Sequence, residues 1–254
     1  MQHPATEPSA WTRRLREKTR SVAVRIEGLC KQYDSPAGVA LHNVTMEITA
    51  GEVFALVGAD GAGKSTVLKL ICGLLTPTAG RVTINNLDVE RERDEVQAAI
   101  GYLGSPFGMY SGALVWEYLD YFARAHGLPP DSASARVAAL LDRFRLTGAR
   151  DARVEGLSRA TKLLLGVARA LVHDPPLLLL DEPTLGLDAR GRALLKRVLT
   201  DEHHHGKTIV LTSPTLTDLD VNCDTVRILE HGRLLPADRA EKILQEAASI
   251  GEIP

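Results

Sequence analysis

The chain has 254 residues, a formal net charge of −2, and 44% hydrophobic against 24% charged residues. That length suits one large α/β domain or two small lobes, and the balanced charge gives no global field for a nucleic-acid partner. No apolar run reaches the roughly 20 residues that a bilayer-spanning helix needs, and the N-terminus lacks a signal-peptide core, so a cytoplasmic chain is expected. Its three cysteines, Cys30, Cys72 and Cys223, have no metal-ligand spacing and sit in or beside apolar segments. Buried free thiols are the expectation.

Residues 1–21 read as a basic extension in which Pro4, Pro8 and Ser9 lead into Trp11–Arg20. Trp11, Leu15 and Val22 could share one helical face, which fits a membrane-surface role or a flexible, solvated extension. The second is expected. From residue 22 the pattern is β. Val22, Val24 and Ile26 alternate with polar or small residues, a turn-rich stretch follows from Tyr33 to Gly38, and Val44, Met46 and Ile48 then share one face.

The apolar run Val53–Val57 feeds Gly58, Ala59, Asp60, Gly61, Ala62, Gly63, Lys64, Ser65 and Thr66, and an apolar-periodic segment opens at Val67. Strand, glycine-rich loop and helix in that order turn a G-x-x-x-x-G-K-[ST] match into a phosphate-binding loop. Loop amides and the positive end of the helix can wrap a polyphosphate. Lys64 is placed to reach the β- and γ-phosphates, and the Ser65 hydroxyl to ligate Mg²⁺. The sequence therefore predicts that a nucleoside triphosphate binds here.

Beyond the loop, Thr76–Gly80 reads as a turn, Arg81–Ile84 as a strand, and Ile100–Leu103 as a short strand before the loop Gly104–Gly108. Residues 113–150 read as helices only. Leu114, Val115, Tyr118, Leu119 and Phe122 follow one helical spacing, and Val137, Leu140, Leu141 and Phe144 another. Such an insertion suggests a helical subdomain, about 105–172. Ser158 can cap a helix that ends before Asp174-Pro175-Pro176. Leu177–Leu180 reads as a buried strand ending in Asp181 and Glu182, then a helix from Ala189 to about Leu199, then the strand Thr208–Thr212. Ser213-Pro214 reads as a cap and first helical residue. A hairpin across His231-Gly232 and a terminal helix over 237–248 complete the chain.

Five elements then stand in the order and spacing of an ABC-type ATP-binding cassette. They are the phosphate loop, Ile100-Gly101-Tyr102-Leu103, Leu157-Ser158 leading a helix, Leu177 to Thr184 with its Asp-Glu-Pro-Thr, and Gly186-Leu187-Asp188. The chain resembles that family from residue 22 to about 240, and most resembles the cassettes of ABC-2-type exporters. The resemblance implies an α/β fold: a P-loop NTPase core, an N-terminal antiparallel β-subdomain and an inserted α-helical subdomain. It further implies ATP with Mg²⁺ as ligand, an integral membrane permease as partner, and a second cassette docked head to tail. By the same likeness Asp181 would hold Mg²⁺ through water, and Glu182 would be the general base. Tyr33 falls where such cassettes set a ring against adenine, and also reads as a tyrosine packed on the β-subdomain. Ser158, Arg159 and Ala160 stand in the signature. Asp188 resembles the aspartate that communicates across the dimer, and equally suits a helix N-cap.

Three positions depart from the family. Gly104-Ser105 replaces Pro-Gln, and serine is about two bonds shorter than the glutamine that touches Mg²⁺ and water. Arg159-Ala160-Thr161 replaces Gly-Gly-Gln in the signature, putting a long cation where bare backbone should approach a phosphate. That guanidinium either pairs with the phosphate or props the interface open. Pro214 replaces the histidine that contacts the γ-phosphate, and proline has no donor. Phosphoryl transfer depends on positioning and electrostatics, and one lost donor costs on the order of 10²–10³ in rate. The expectation is a cassette that binds Mg-ATP and hydrolyses it slowly, paired with a heterologous intact cassette, peripheral on the inner face of the membrane. A soluble regulatory or assembly protein built on the same fold is the alternative reading. His203-His204-His205 is expected to be an exposed loop, with metal binding as its alternative.

Overall fold

Alternating apolar positions make the first sheet. β1 (Val22–Gln32) and β2 (Val39–Thr49) bury Val24, Ile26 and Leu29, and Leu41, Val44, Met46 and Ile48, on one side. β1 pairs antiparallel with β2 and with β4 (Ala79–Ile84), and β5 (Leu87–Asp88) closes the order β2-β1-β4-β5. The computed structural model describes residues 22–34, 38–105, 108–109, 112–219 and 221–249. The basic extension 1–21 and the two residues after Ser105 lie outside them.

The second sheet has the order β10-β9-β3-β8-β7-β6. Its strands are β3 (Val53–Val57), β6 (Ile100–Leu103), β7 (Leu177–Leu180), β8 (Thr208–Ser213), β9 (Thr225–Glu230) and β10 (Arg233–Leu234). All pairings are parallel except that of β10 with β9. β3 and β7 are buried throughout, as continuous apolar runs in a parallel sheet covered on both faces should be, and β8 is buried as well, its Thr208, Thr212 and Ser213 included. Their alternate residues belong to two different cores. Phe54, Leu56, Leu177, Leu179 and Val210 pack with the antiparallel sheet and with α1 (Lys64–Ile71). Val53, Ala55, Val57, Leu178, Leu180, Ile209 and Leu211 pack on the other side. There they meet α3 (Val115–Ala125), α4 (Pro130–Arg143), α5 (Arg159–Ala170) and α6 (Ala189–His204). A short α2 (Arg93–Ala98) and a terminal α7 (Ala237–Ser249) complete the helices. Among the described residues no helix is long and apolar enough to cross a membrane.

Polar contacts tie the helical segment to the sheet. Arg169 on α5 donates to the Tyr102 carbonyl (2.9 Å) and the Tyr118 hydroxyl (3.2 Å). Arg143 on α4 pairs with Glu202 on α6, and the Glu202 carboxylate lies 3.5 Å from the buried Lys207 ammonium.

Two local expectations are corrected. No helix begins at Ser213-Pro214. β8 runs through Ser213, and the chain then turns because the Ser213 hydroxyl donates to the Thr215 carbonyl (2.8 Å) and Thr215 to the Asp218 carboxylate (2.7 Å). Such bonds compete with the helical ladder. The histidine tract is no loop, since α6 continues to His204 instead of stopping near Leu199. Leu194, Leu195, Val198 and Leu199 anchor that helix in the core, and His205 is its C-cap. His203 faces Asp224 at 3.5 Å, and among the described residues no group of three or more His, Cys, Asp or Glu side chains could hold a metal ion.

Candidate functional site

The parallel sheet brings the candidate residues together at the C-terminal ends of its strands. β3 ends in the glycine loop, β7 ends in Asp181 and Glu182, and β8 lies between them. Ligand sites of open α/β sheets lie at this edge. Glycine is required at two points. A Cβ on Gly58 would overlap the Leu229 carbonyl, and Gly63 caps α1 at φ 107° with the Ala40 carbonyl 2.7 Å from where its Cβ would stand. Asp60, Gly61, Ala62, Gly63, Lys64, Ser65 and Thr66 line a cavity of about 330 Å³ together with Ala40 and Glu182.

Lys64 is buried. Its ammonium donates to the Gly58 carbonyl (2.6 Å) and the Ala59 carbonyl (3.2 Å) and stands 3.2 Å from the Glu182 carboxylate. Glu182 itself has φ +50°, the left-handed region that costs a non-glycine residue about 1–2 kcal/mol. Asp181 is buried too. Its Oδ1 accepts from the Thr212 hydroxyl at 2.7 Å, while its Oδ2 is buried with no hydrogen-bond partner among the described residues. A buried carboxylate oxygen left without a donor is costly unless something occupies it. An oxygen-only set made of this atom, through water, and the Ser65 hydroxyl at the start of α1 fits the hard, hydrated Mg²⁺ ion.

Tyr33 is held at the same mouth, its hydroxyl 3.3 Å from the Thr66 hydroxyl and its ring under the Lys31 ammonium at 5.3 Å. Ser158 and Asp188 are both helix caps. The Ser158 hydroxyl accepts from the Thr161 amide (3.1 Å), and the Asp188 carboxylate from the Gly191 amide (2.8 Å). Arg159 is exposed and lies along Gly186, which has φ +85°. A Cβ there would stand 3.4 Å from Arg159 Nε. The guanidinium therefore crosses the loop that follows Glu182 within the same chain. Ser105 and Pro214 are half-buried at the ends of β6 and β8.

Sequence reasoning missed Thr212, which contacts both Asp181 and Glu182; an apolar strand ending in threonine gives no motif to notice. It also missed a cavity of about 210 Å³ at the seam between α3, α5 and β6, lined by Cys72, Gln97, Tyr102, His126, Arg169 and His173 among others. There the His126 and His173 rings stack at 3.7 Å. Burial first, then His126, pushes His173 down to about 3. Cys72 is buried as expected and its thiol is pushed well above the usual range, whereas Cys30 and Cys223 are only half-buried.

The family described as ABC transporter matches residues 41–185. The chain is 38% identical over 220 residues to the methionine import ATP-binding protein MetN 2 of Burkholderia mallei, covering 84% of this chain and 56% of that protein. It is 35% identical over 227 residues to the Nod factor export ATP-binding protein I of Rhizobium meliloti, covering 89% of this chain and 67% of that one. Among solved structures, cbiO1 from Clostridium perfringens, part of the ABC transporter complex cbiONQ, superposes with a TM-score of 0.73 at 28% identity, covering 89% and 94% of the two chains. By the family match over residues 41–185 and relatives 35–38% identical across more than four fifths of its length, the chain belongs to the ATP-binding cassettes of the ABC transporter family.

Proposed function

We propose that this cassette is the ATP-binding subunit of an ABC-2-type exporter, that it binds Mg-ATP at Gly58–Thr66, and that it turns ATP over slowly. The observation that carries the binding half is the convergence of Lys64, the loop amides and Glu182 on one cavity, beside a buried Asp181 oxygen that lacks a partner. Lys64 would leave its carbonyl partners for the β- and γ-phosphates, and the positive end of α1 would face the same charge. Ser65 and Asp181 would hold the metal, which neutralises charge on the phosphate oxygens when bound. Glu182 would take the proton of the attacking water. Ser105, Arg159 and Pro214 leave that water and the γ-phosphate without three of the family's contacts, which supports slow hydrolysis.

A second cassette would complete the site, its signature facing this chain's phosphate loop. An intact heterologous partner would bring its own signature to one site and its own catalytic residues to the other, leaving two unequal sites, which a second copy of this chain would not. The permease and the export direction rest on likeness: one relative carries export in its name and another import. The place of action would be the cytoplasmic face of the membrane, through that permease.

Two measurements test this. Titration calorimetry with ATP and Mg²⁺ is expected to give saturable binding, and steady-state turnover to fall well below the typical phosphoryl-transfer range of about 1–100 s⁻¹. Turnover within that range would overturn the slow-hydrolysis reading. Capture of the chain from native membranes is expected to bring an integral membrane subunit and a second cassette. Recovery wholly in the soluble fraction would favour a regulatory or assembly role instead.

A further inference from the structure

We infer that Thr212 is a positioning residue that fixes the Mg²⁺-side carboxylate and the backbone of the candidate base with one hydroxyl, an inference that rests on the Mg-ATP reading above. Thr212 is only 1% exposed. Its hydroxyl is 2.7 Å from Asp181 Oδ1 and 2.9 Å from the Glu182 amide nitrogen. A backbone N–H can only donate and an ionised carboxylate can only accept, so the hydroxyl proton must point at Asp181 while the oxygen accepts from Glu182. Both of its roles are therefore spoken for, and its rotor has one orientation.

Two consequences follow from that orientation. Oδ1 of Asp181 is occupied, so Oδ2, without a partner among the described residues, is the oxygen left free to accept from a metal-bound water. An outer partner of this kind fixes the direction of a metal-holding carboxylate. Glu182, for its part, is held at φ +50° by a bond from its own amide, which helps offset the cost of that backbone. The strand adds a third link: the residue after Thr212 gives its carbonyl to the Gly58 amide at 3.1 Å. One turn-end of β8 thus sets the metal-side carboxylate, the base and the first residue of the phosphate loop.

The test compares wild type with Thr212→Val, Thr212→Ala and Thr212→Ser. ATP affinity is measured by calorimetry with Mg²⁺ and again in EDTA, alongside thermal melts. Valine keeps the branched shape and loses the hydroxyl; serine keeps the hydroxyl. Thr212→Val is expected to lose about 10–100-fold of the Mg²⁺-supported affinity while its affinity in EDTA stays near wild type, and Thr212→Ser to retain the Mg²⁺ effect. Thr212→Ala stands in should valine fail to fold. An unchanged Mg²⁺ dependence in Val or Ala, or an equal loss with and without Mg²⁺, overturns the inference. So does unfolding of both Val and Ala beside a folded Ser, which would make the hydroxyl a purely structural group. Wild type that binds no ATP under either condition is a different failure: it removes the Mg-ATP reading itself, and this inference with it.

Discussion

The Lys64 ammonium lies 3.2 Å from the Glu182 carboxylate and at the same time donates to the Gly58 carbonyl, 2.6 Å away. The lysine proposed to hold the phosphates is thus paired with the residue proposed to activate water. Entry of a triphosphate must break this pair. Glu182→Gln is expected to raise ATP affinity about fivefold, the scale of a partly exposed ion pair near 1 kcal/mol, while lowering any turnover further. Lys64→Ala is expected to abolish binding. Calorimetry on the two variants checks both.

The loop glycines should separate by cause. Gly63→Ala combines a left-handed backbone with a Cβ 2.7 Å from the Ala40 carbonyl and 2.8 Å from Leu41 Cδ2. It is expected to cost about 2–5 kcal/mol. Gly61 has φ +79° but open space around it, so Gly61→Ala is expected to cost only about 1–2 kcal/mol. Urea unfolding of the two variants measures the difference.

The slow-turnover proposal predicts recovery by substitution. Arg159→Gly alone is expected to change turnover by less than about tenfold, because Ser105 and Pro214 still leave their contacts unmade. The triple variant Ser105→Gln, Arg159→Gly, Pro214→His is expected to gain at least about 10². Steady-state phosphate release reads the result. A triple variant as slow as wild type would place the deficit elsewhere.

Acid should weaken the seam where His126 and His173 stack. Burial and the neighbouring His126 hold His173 at about 3, with Lys207 and Arg136 acting in the same direction and the bond to the Ile100 carbonyl opposing; burial lowers His126 as well. In the unfolded chain a histidine takes its proton near pH 6.5, so between about 6.5 and 3 the unfolded state binds more protons. The stability His173 contributes is complete above about 6.5 and is lost as pH falls, by at most about 1.4 kcal/mol per pH unit. Urea unfolding from about pH 7 to about pH 5 should show that slope, and His173→Gln should flatten it.

Glu202 and Lys207 are each 5% exposed and 3.5 Å apart, with Arg143 on the far side of the carboxylate. Glu202→Ala would leave Lys207 its bonds to the Asp174 carboxylate and the Pro175 carbonyl, so it is expected to cost only about 1–3 kcal/mol. A double-mutant cycle with Lys207→Met measures the coupling across the 3.5 Å contact, expected at about 0.5–3 kcal/mol.

Much of this was legible in the residues. Strand, glycine loop and helix at Val53–Val67 are contiguous, so local pattern was enough to predict them, and the same holds for the Ser158 and Asp188 caps. Pro214 misled because Ser-Pro is a good helix start in isolation, whereas the side-chain bonds of Ser213 and Thr215 decide the turn. α6 ran past its expected end because buried leucines and valines, not the histidines beyond them, set its length. Thr212, and the Arg169 and His173 contacts at the seam, join segments 30 or more residues apart. No spacing rule on a single chain can show such meetings.

The alternation of β3, β7 and β8 between two cores has one more consequence. The parallel sheet is a party wall: each side chain on one face is matched by a neighbour in sequence that roofs the other room. Cutting out the helical segment would not yield a smaller cassette, since it would strip one face of the wall from Val53 to Val57 and from Leu177 to Leu180. The loop that holds phosphate and the strand end that bears Glu182 are the upper edge of that wall. Whatever shifts the helical side, a docked membrane partner included, leans on the same masonry.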